Sequence, residues 1–451
     1  MTKPLPSNWA ITTVGEITLS VDMVDSSYET ERDIRYIDIG SIDNVRNTIS
    51  EPKRLRLSAA PSRARQIVRS GDVLFSTVRP YLRNIAQVSG ALDGEIASTG
   101  FSVLRPATGV DPKYLFYRTI SRDFVGSLTG EQYGVSYPAV KDDQVRAQPI
   151  EIPPSNEQHR IVAKIDELFS ELDKGVESLH AAHQQLKTYR QSVLKHAFRE
   201  HFTAGFRRTF PPWSNIRLGD EIEFLTSGSR GWADYYAPTG DTFIRAQNLK
   251  QDHLDLTDIA FVNLPNGNTE GSRTRVKVGD ILITITGANV TKTGIVNSDI
   301  GTAYVSQHVA LCRLRPAIVP AFLYWYLLSE AHGRRQLNEA AYGAGKPGLN
   351  LENIRDVTLP LPSRDEQSIV VERIEETLSA EEALRESIDR ELRRTNAIRQ
   401  SILRDAFSGK LVTQDPNDEP ASVVLRRIRV DRNNSGTKKE RTRKNGKRKA
   451  A

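Results

Sequence analysis

Two stretches, GDVLFSTV at Gly71–Val78 and GDILITIT at Gly279–Thr286, decide the architecture, because they are one phrase written twice. The agreement spreads outward from them. VLRPA ending at Ala107 matches RLRPA ending at Ala317, and PKYLFYRTIS from Pro112 matches PAFLYWYLLS from Pro320. Glu157-Gln158 then matches Glu366-Gln367, and RQSVLKHAF from Arg190 matches RQSILRDAF from Arg399, so the offset stays within 208 to 210 residues throughout. Self-similarity held at one spacing is the mark of a duplicated structural unit, here of about 200 residues.

Inside each copy the texture changes once. Residues 1–154 and 204–362 mix short β-rich runs, such as IRYIDIGSI at Ile34–Ile42, with Gly, Pro and Asn, which predicts two globular α/β (α+β) domains. After IPPS and LPLPS the chain becomes Gly- and Pro-poor for more than forty residues, twice, which predicts long helices over 155–203 and 363–410. Ser155 with Gln158 and Ser363 with Glu366 have the spacing of capping boxes, in which the hydroxyl accepts from a free backbone N–H and the later side chain reaches back. The first helix carries a heptad seam of Ile165, Leu172, Leu179, Leu186 and Val193, and such a stripe needs a partner helix. The second offers Val370, Ile374, Leu384, Ile388, Ile398 and Ile402, interrupted by Glu381, Glu391 and Thr395. A helix of about 46 residues rises about 69 Å. Paired antiparallel, two of them would hold the domains at opposite ends of a rod about a pseudo-twofold axis. Domain centres at least about 30 Å apart suit half-sites one turn of B-DNA apart.

Composition narrows the class. The 451 residues leave room for two or three domains. The longest apolar run, Ala321–Leu328, has eight residues, far short of the roughly 18 that cross a bilayer, and the first residues lack the basic start and apolar core of a secretory signal. A cytoplasmic protein is expected. Cys312 is the single cysteine, which excludes a disulfide framework and Cys-rich metal sites. The formal charge of +6 is concentrated: residues 432–451 carry nine Lys or Arg against Glu440, leaving the other 431 residues at −2. Residues 431–451 read as a disordered basic tail adding salt-sensitive phosphate affinity.

The two-copy plan, the helix entries IPPSNEQHRIVAKID and LPLPSRDEQSIVVERI, the ends RQSVLKHAF and RQSILRDAFSGKLV, and the closing QDPNDEPASVVLRRI together resemble the specificity subunits of type I restriction-modification enzymes. The resemblance covers nearly the whole chain. It implies that each globular unit is a target recognition domain for one half of a split, asymmetric DNA site. It also implies that the paired helices set the spacer and hold two methyltransferase subunits, that restriction/translocase subunits are further partners, and that this chain is itself non-catalytic and without a cofactor. The family's circular permutation implies that residues 411–430 pack near the first domain; the polybasic tail departs from the family pattern.

Catalytic signatures fail on inspection. FPPW at Phe210–Trp213 puts Phe where an adenine methyltransferase needs an amide or carboxylate acceptor. Gly343, Gly345 and Gly348 spell GxGxxG, but Pro347 interrupts it and a helix-like segment precedes it where the fingerprint needs a strand. No GxxxxGK[ST] occurs, Asp111–Lys113 is too small a fragment for a nuclease centre, and His180 and His183 have no carboxylate or thiol partner at ligand spacing. Base reading needs paired donors and acceptors beside groups that grip phosphate. Loops after the repeated strands supply them: Arg79, Tyr81, Arg83 and Asn84 in the first domain; Thr286, Asn289, Thr291 and Lys292 in the second. A second pair of loops holds Tyr133, Ser136 and Tyr137, and Tyr342 and Lys346; Gln247 and Asn248 complete the candidates. The rival expectation is a coiled-coil adaptor with two protein-binding domains, for which this loop chemistry would be incidental.

Overall fold

The computed structural model describes residues 5–24, 31–129, 139–199, 212–250, 252–265, 269–343 and 347–434. The chain divides into two compact units, Met1–Glu177 with Glu391–Ala451, and Ser178–Arg390. In the first unit the strands Thr18–Leu19, Phe101–Pro106, Val73–Ser76 and Ile85–Gln87 form one antiparallel sheet. Lys53–Arg56, Asp33–Ile37, Ile96–Ser98 and Ala64–Ile67 form a second, with one parallel step where Ile96 lies opposite Tyr36. The second unit repeats the first sheet strand for strand, as Ile222–Ser227, Val309–Leu314, Ile281–Thr284 and Thr293–Ile295. It also repeats the parallel step, Thr242 opposite Ala303. The edges of the second sheet differ: Ala64–Ile67 closes it in the first unit, whereas Tyr236–Ala237 is added at the other side in the second.

The repeated phrase lies at the centre of each unit. All four residues of Val73–Ser76 and of Ile281–Thr284 are buried, so the run is apolar throughout, as a strand covered on both faces must be. Val73 and Phe75 face a core shared with helices, while Leu74 faces the core between the sheets; Ile281, Ile283 and Leu282 divide the same way. Gly71 and Gly279 both sit at φ +89°, where a side chain is strained and where Pro112 or Pro320 closes in. The Asp that follows each Gly meets an arginine of the neighbouring strand: Arg105 of the LRP motif in the first unit, and Arg313, two residues before the LRP arginine, in the second. Asp72 takes Arg105 Nε at 3.1 Å and Nη2 at 2.9 Å; Asp280 takes Arg313 at 2.8 and 2.7 Å. Each aspartate also caps the preceding turn, accepting from Arg69 N or Lys277 N. Cys312 is fully buried beside Ile281, its thiol pushed up to about 12 by burial, with Asp280 adding to the effect.

A two-stranded ribbon joins the start and end of each globular body, Ala10–Thr13 with Pro149–Ile152 and Ser214–Arg217 with Thr358–Leu361. The long helices follow directly, Ser155–Ala197 and Arg364–Phe407, shorter at their ends than composition indicated. The capping boxes do not form as spacing suggested. Ser155 Oγ donates to Gly109 O, and the Gln158 amide accepts from Asp111 N at 2.8 Å and donates to Gly109 O and Pro153 O. Gln367 repeats this, accepting from Val319 N at 2.7 Å and donating to Ala317 O and Pro362 O. Ser363 does accept from Glu366 N, at 3.4 Å, but the Glu366 carboxylate takes the Trp213 indole N–H at 2.8 Å. The glutamines are fully buried clamps between helix and domain.

Each unit contains the beginning of one long helix and the end of the other. In the first, Ile161, Ile165 and Phe169 pack with Leu403, Ala406 and Phe407, and Leu172 and Ile402 lie beside them. In the second, Leu194 and Ala197 pack with Val370, Ile374 and Leu378, and Val193 lies beside them. Leu179 and Leu186 are half-buried and Ile388 is buried, but Leu384 and Ile398 are exposed. Glu381, expected to interrupt the seam, is 4% exposed and takes Arg190 Nη1 at 2.9 Å, with Arg190 stacked over Trp325. Residues 421–434 form a further helix, continuing past Val430, whose Ala421, Val424, Leu425 and Ile428 belong to the first unit's core. Val424 fills the space a side chain at Gly109 would need, and Gly109 itself has φ +92°. Asp418 holds Arg160 at 2.6 Å, and Arg432 donates to the carbonyls of Gly15 and Thr18.

The buried Asp280–Arg313 pair supplies a test. Burial holds the Asp280 carboxyl above the ordinary range despite Arg313, so the pair specifies geometry more than it stabilises. Asp280→Ala, which strands the guanidinium, should cost about 3 kcal/mol in denaturant unfolding, whereas Asp280→Leu with Arg313→Met should recover most of that loss.

Candidate nucleic-acid interface

The loop after the central strand has the same backbone in both units. Arg79 and Arg83 are left-handed at φ 49° and 57°, and 208 residues later Gly287 and Thr291 are left-handed at 85° and 68°. A β-branched residue such as Thr291 is uncommon there and strained, which marks the loop as held for a purpose. Backbone bonds bring a second loop alongside. Val78 bridges Ala139, and Thr286 bridges Gly348; Val140 N donates to Thr77 O and Leu349 N to Ile285 O. Gly287 N also donates to Pro347 O at 2.9 Å, and Tyr342 bridges Gly348. In the second unit Thr286, Gly287 and Tyr342 therefore share one rim, with Tyr342 60% exposed.

The candidates divide by direction. Tyr81 is half exposed, Thr286 is exposed, and Arg79, Asn84 and Asn289 are half-buried on the loops. Arg83 turns inward: its Nη2 donates to Ile120 O at 3.1 Å and Gln400 Oε1 at 3.3 Å, and burial lowers its pKa. Thr291 is buried, its hydroxyl donating to Asn338 Oδ1, and Lys292 Nζ donates to Asn289 Oδ1 at 2.8 Å. Asn248 is 2% exposed; it accepts from Arg245 N and donates to Asp255 O and Asp258 O, so it shapes a turn and offers no edge to a base. Gln247 beside it is exposed, donating to Asp258 Oδ2. Tyr133, Ser136, Tyr137 and Lys346 lie outside the described residues.

One contributor escaped the sequence reading. Ile42–Asp43 and Thr48–Ile49 form a hairpin whose tip lies against the Arg79–Asn84 loop. Asn44 Nδ2 donates to Leu82 O at 2.9 Å, and Asn47 Nδ2 to Ile85 O at 3.0 Å. Val45, 81% exposed, and Arg46 project from the tip, where Asp43 Oδ1 accepts from both their backbone N–H groups. The signal was present in IDNVRN, a polar turn of two Asn and one Asp between short apolar runs. The second unit makes the corresponding link with Asn289 Nδ2 donating to Ala246 O.

A rim of exposed Tyr, Arg and amide groups on loops stiffened by internal bonds suits contact with base edges and phosphates. On that rim the Thr286 hydroxyl meets His308 Nδ1, and no group of three or more metal-ligating side chains occurs among the described residues. Arg83→Ala should cost about 1–3 kcal/mol, by leaving the Ile120 carbonyl without this donor and Gln400 with Arg122 N alone. The cost should appear as lower stability and faster protease cleavage within residues 79–84.

The profile of the type I restriction modification DNA specificity domain matches residues 7–179 and 213–393. The EcoBI specificity subunit of Escherichia coli is 26% identical over 354 residues, spanning 72% of this chain and 73% of its own length. The EcoKI specificity subunit of Escherichia coli K12 is 25% identical over 355 residues and 75% of each chain. Among solved structures, a chain from work on complex assembly and conformational transition of the type I R-M system aligns with a TM-score of 0.65 and 28% identity, over 90% of this chain and 99% of that one. With two matches spanning most of its length, the chain belongs to the family of type I restriction-modification DNA specificity domains.

Proposed function

We propose that this protein is the DNA specificity subunit of a type I restriction-modification complex, and that each globular domain reads one half of a bipartite, asymmetric site. The observation that carries this reading is the repeated loop. Its backbone is shared between the units to the sign of φ at two positions, yet the residues on it differ, with Arg79 and Tyr81 in one copy where the other has Gly287 and Asn289. Two copies of one scaffold with different tips are suited to two different half-sites.

In this reading Arg79, Tyr81, Asn84, Val45 and Arg46 form the first tip, and Thr286, Asn289, Gln247 and Tyr342 the second. The long helices run antiparallel as a coiled coil that sets the spacer, in a pseudo-twofold, circularly permuted arrangement. Methyltransferase subunits dock on the helices, restriction/translocase subunits complete the complex, and methyl transfer and cleavage occur on those partners. The chain is cytoplasmic, where its DNA is. The packing of Ile165 with Leu403 and of Leu194 with Ile374 supports such pairing within each unit.

Exchanging residues 1–154 for the matching domain of a relative should replace one half of the methylated motif and keep the other, as read by methylome sequencing of cells carrying the complex. An unchanged motif would refute the assignment of that domain. Tyr81→Ala should weaken sequence-selective binding by the assembled complex about tenfold, since stacking or edge contact by one aromatic contributes about 1–3 kcal/mol. Deleting 435–451, which spares the docked Arg432, should flatten the salt dependence of binding with the preferred site unchanged.

A further inference from the structure

The units part company at one position where their backbones agree. In the first, the Arg83 guanidinium fills the space between the reading loop and the long helix, bonded to Ile120 O and to Gln400, which also accepts from Arg122 N at 2.9 Å. In the second, Gln191 reproduces the helix side, accepting from Glu330 N at 2.8 Å and donating to Leu328 O at 3.2 Å. Thr291 stands where Arg83 would, and its short side chain leaves a cavity of about 480 Å³ inside that unit. Such a volume is within the range of small-molecule sites.

The walls change along with the plug. Lys187, Lys292, Arg334 and Arg385 border the cavity. At the matching offsets the first unit has Asn396, Asn84, Gly126 and Val176. Four cations of the second unit are thus replaced by uncharged residues in the first, where the filling guanidinium instead has Arg122 close enough to lower its pKa further. Asp252, Glu330 and Glu381 also line it. Asp252 and Glu381 are engaged by Arg190 and Arg385, with Arg385 Nη1 at 2.8 Å from Asp252 and Arg190 Nη1 at 2.9 Å from Glu381. Glu382 also meets Arg385 at 2.6 Å and Arg190 at 3.5 Å, so with Lys187, Lys292 and Arg334 five cations stand against Asp252, Glu330, Glu381 and Glu382, an excess of one positive charge. Burial pushes Arg334 down to about 10, and a partly desolvated cation of this kind gains from a nearby anion.

We propose that this cavity takes a phosphate group, supplied by a free phosphorylated compound or by the DNA backbone. Lys187 and Lys292 grip it from the helix and the loop, and Arg334 lies at its floor. Occupation ties the second reading loop to the long helix, as Arg83 ties the first.

The test uses the full-length chain and Thr291→Arg, a plug that the left-handed backbone tolerates, since Arg83 occupies the same conformation. Calorimetric titration with pyrophosphate should show binding that Thr291→Arg weakens at least tenfold and Lys187→Gln several-fold. That result assigns the site to free phosphorylated compounds. If pyrophosphate does not bind, but either variant lowers the slope of log affinity against log salt for DNA by about one in the assembled complex, a backbone phosphate is the occupant. Neither effect in either variant overturns the proposal. The pyrophosphate titration needs no DNA, so its outcome is separable from any failure of sequence-selective binding.

Discussion

A primary amide has one strong acceptor and two donors, and Gln158 and Gln367 use theirs on backbone groups from two places at once. Each stands in the first turn of a long helix, fully buried, and binds both the strand-to-helix turn of its domain and the Pro-rich entry to its own helix. Orientation between domain and helix is therefore set by hydrogen bonds that no water can replace. Apolar packing alone would let a domain slide on its helix; a three-point amide clamp removes that freedom. A reader that must present its tips at a defined angle to a duplex depends on that rigidity.

The fold was legible because duplication doubles every signal. The GD fragments recur since each aspartate holds an arginine of the neighbouring strand, Arg105 or Arg313, and the apolar run that follows recurs since both faces of that strand are covered. The errors came from residues whose chemistry suits two jobs. Arg83 and Asn248 have the donors that read bases, but Arg83 spends them on Ile120 O and Gln400, 37 and 317 residues away, and Asn248 on Asp255 O and Asp258 O in the turn that follows it. Ser155 and Gln158 have capping spacing, yet Gly109 and Asp111 recruit both side chains. Glu381 looked like a break in the seam until Arg190, nearly 200 residues earlier, supplied its partner. The Asn44–Asn47 tip carried a plain turn signature; what hid its relevance was the strand order that lays it against the Arg79 loop.

The two units also show where a duplicated scaffold is free to diverge. Strand order and register in the central sheet are held, while the second sheet gains its fourth strand on opposite sides. Edges tolerate change because an added or lost strand there leaves the shared core between Leu74 and Val103, or Leu282 and Leu311, undisturbed. Variation is thus confined to rims and tips, away from the charged pair and the amide clamp.

The terminal helix at 421–434 has a consequence for the order of assembly. Its Val424 and Ile428 share one core with Val14 and Ile17, and Ala421 N donates to Asn8 O. A nascent chain emerging amino-terminus first would expose that apolar surface until residues 421–434 leave the ribosome. The second unit, built from residues 178–390, can close earlier. The unit whose synthesis begins first is thus the one that closes last, and a chain stopped before residue 421 leaves the first unit's core open.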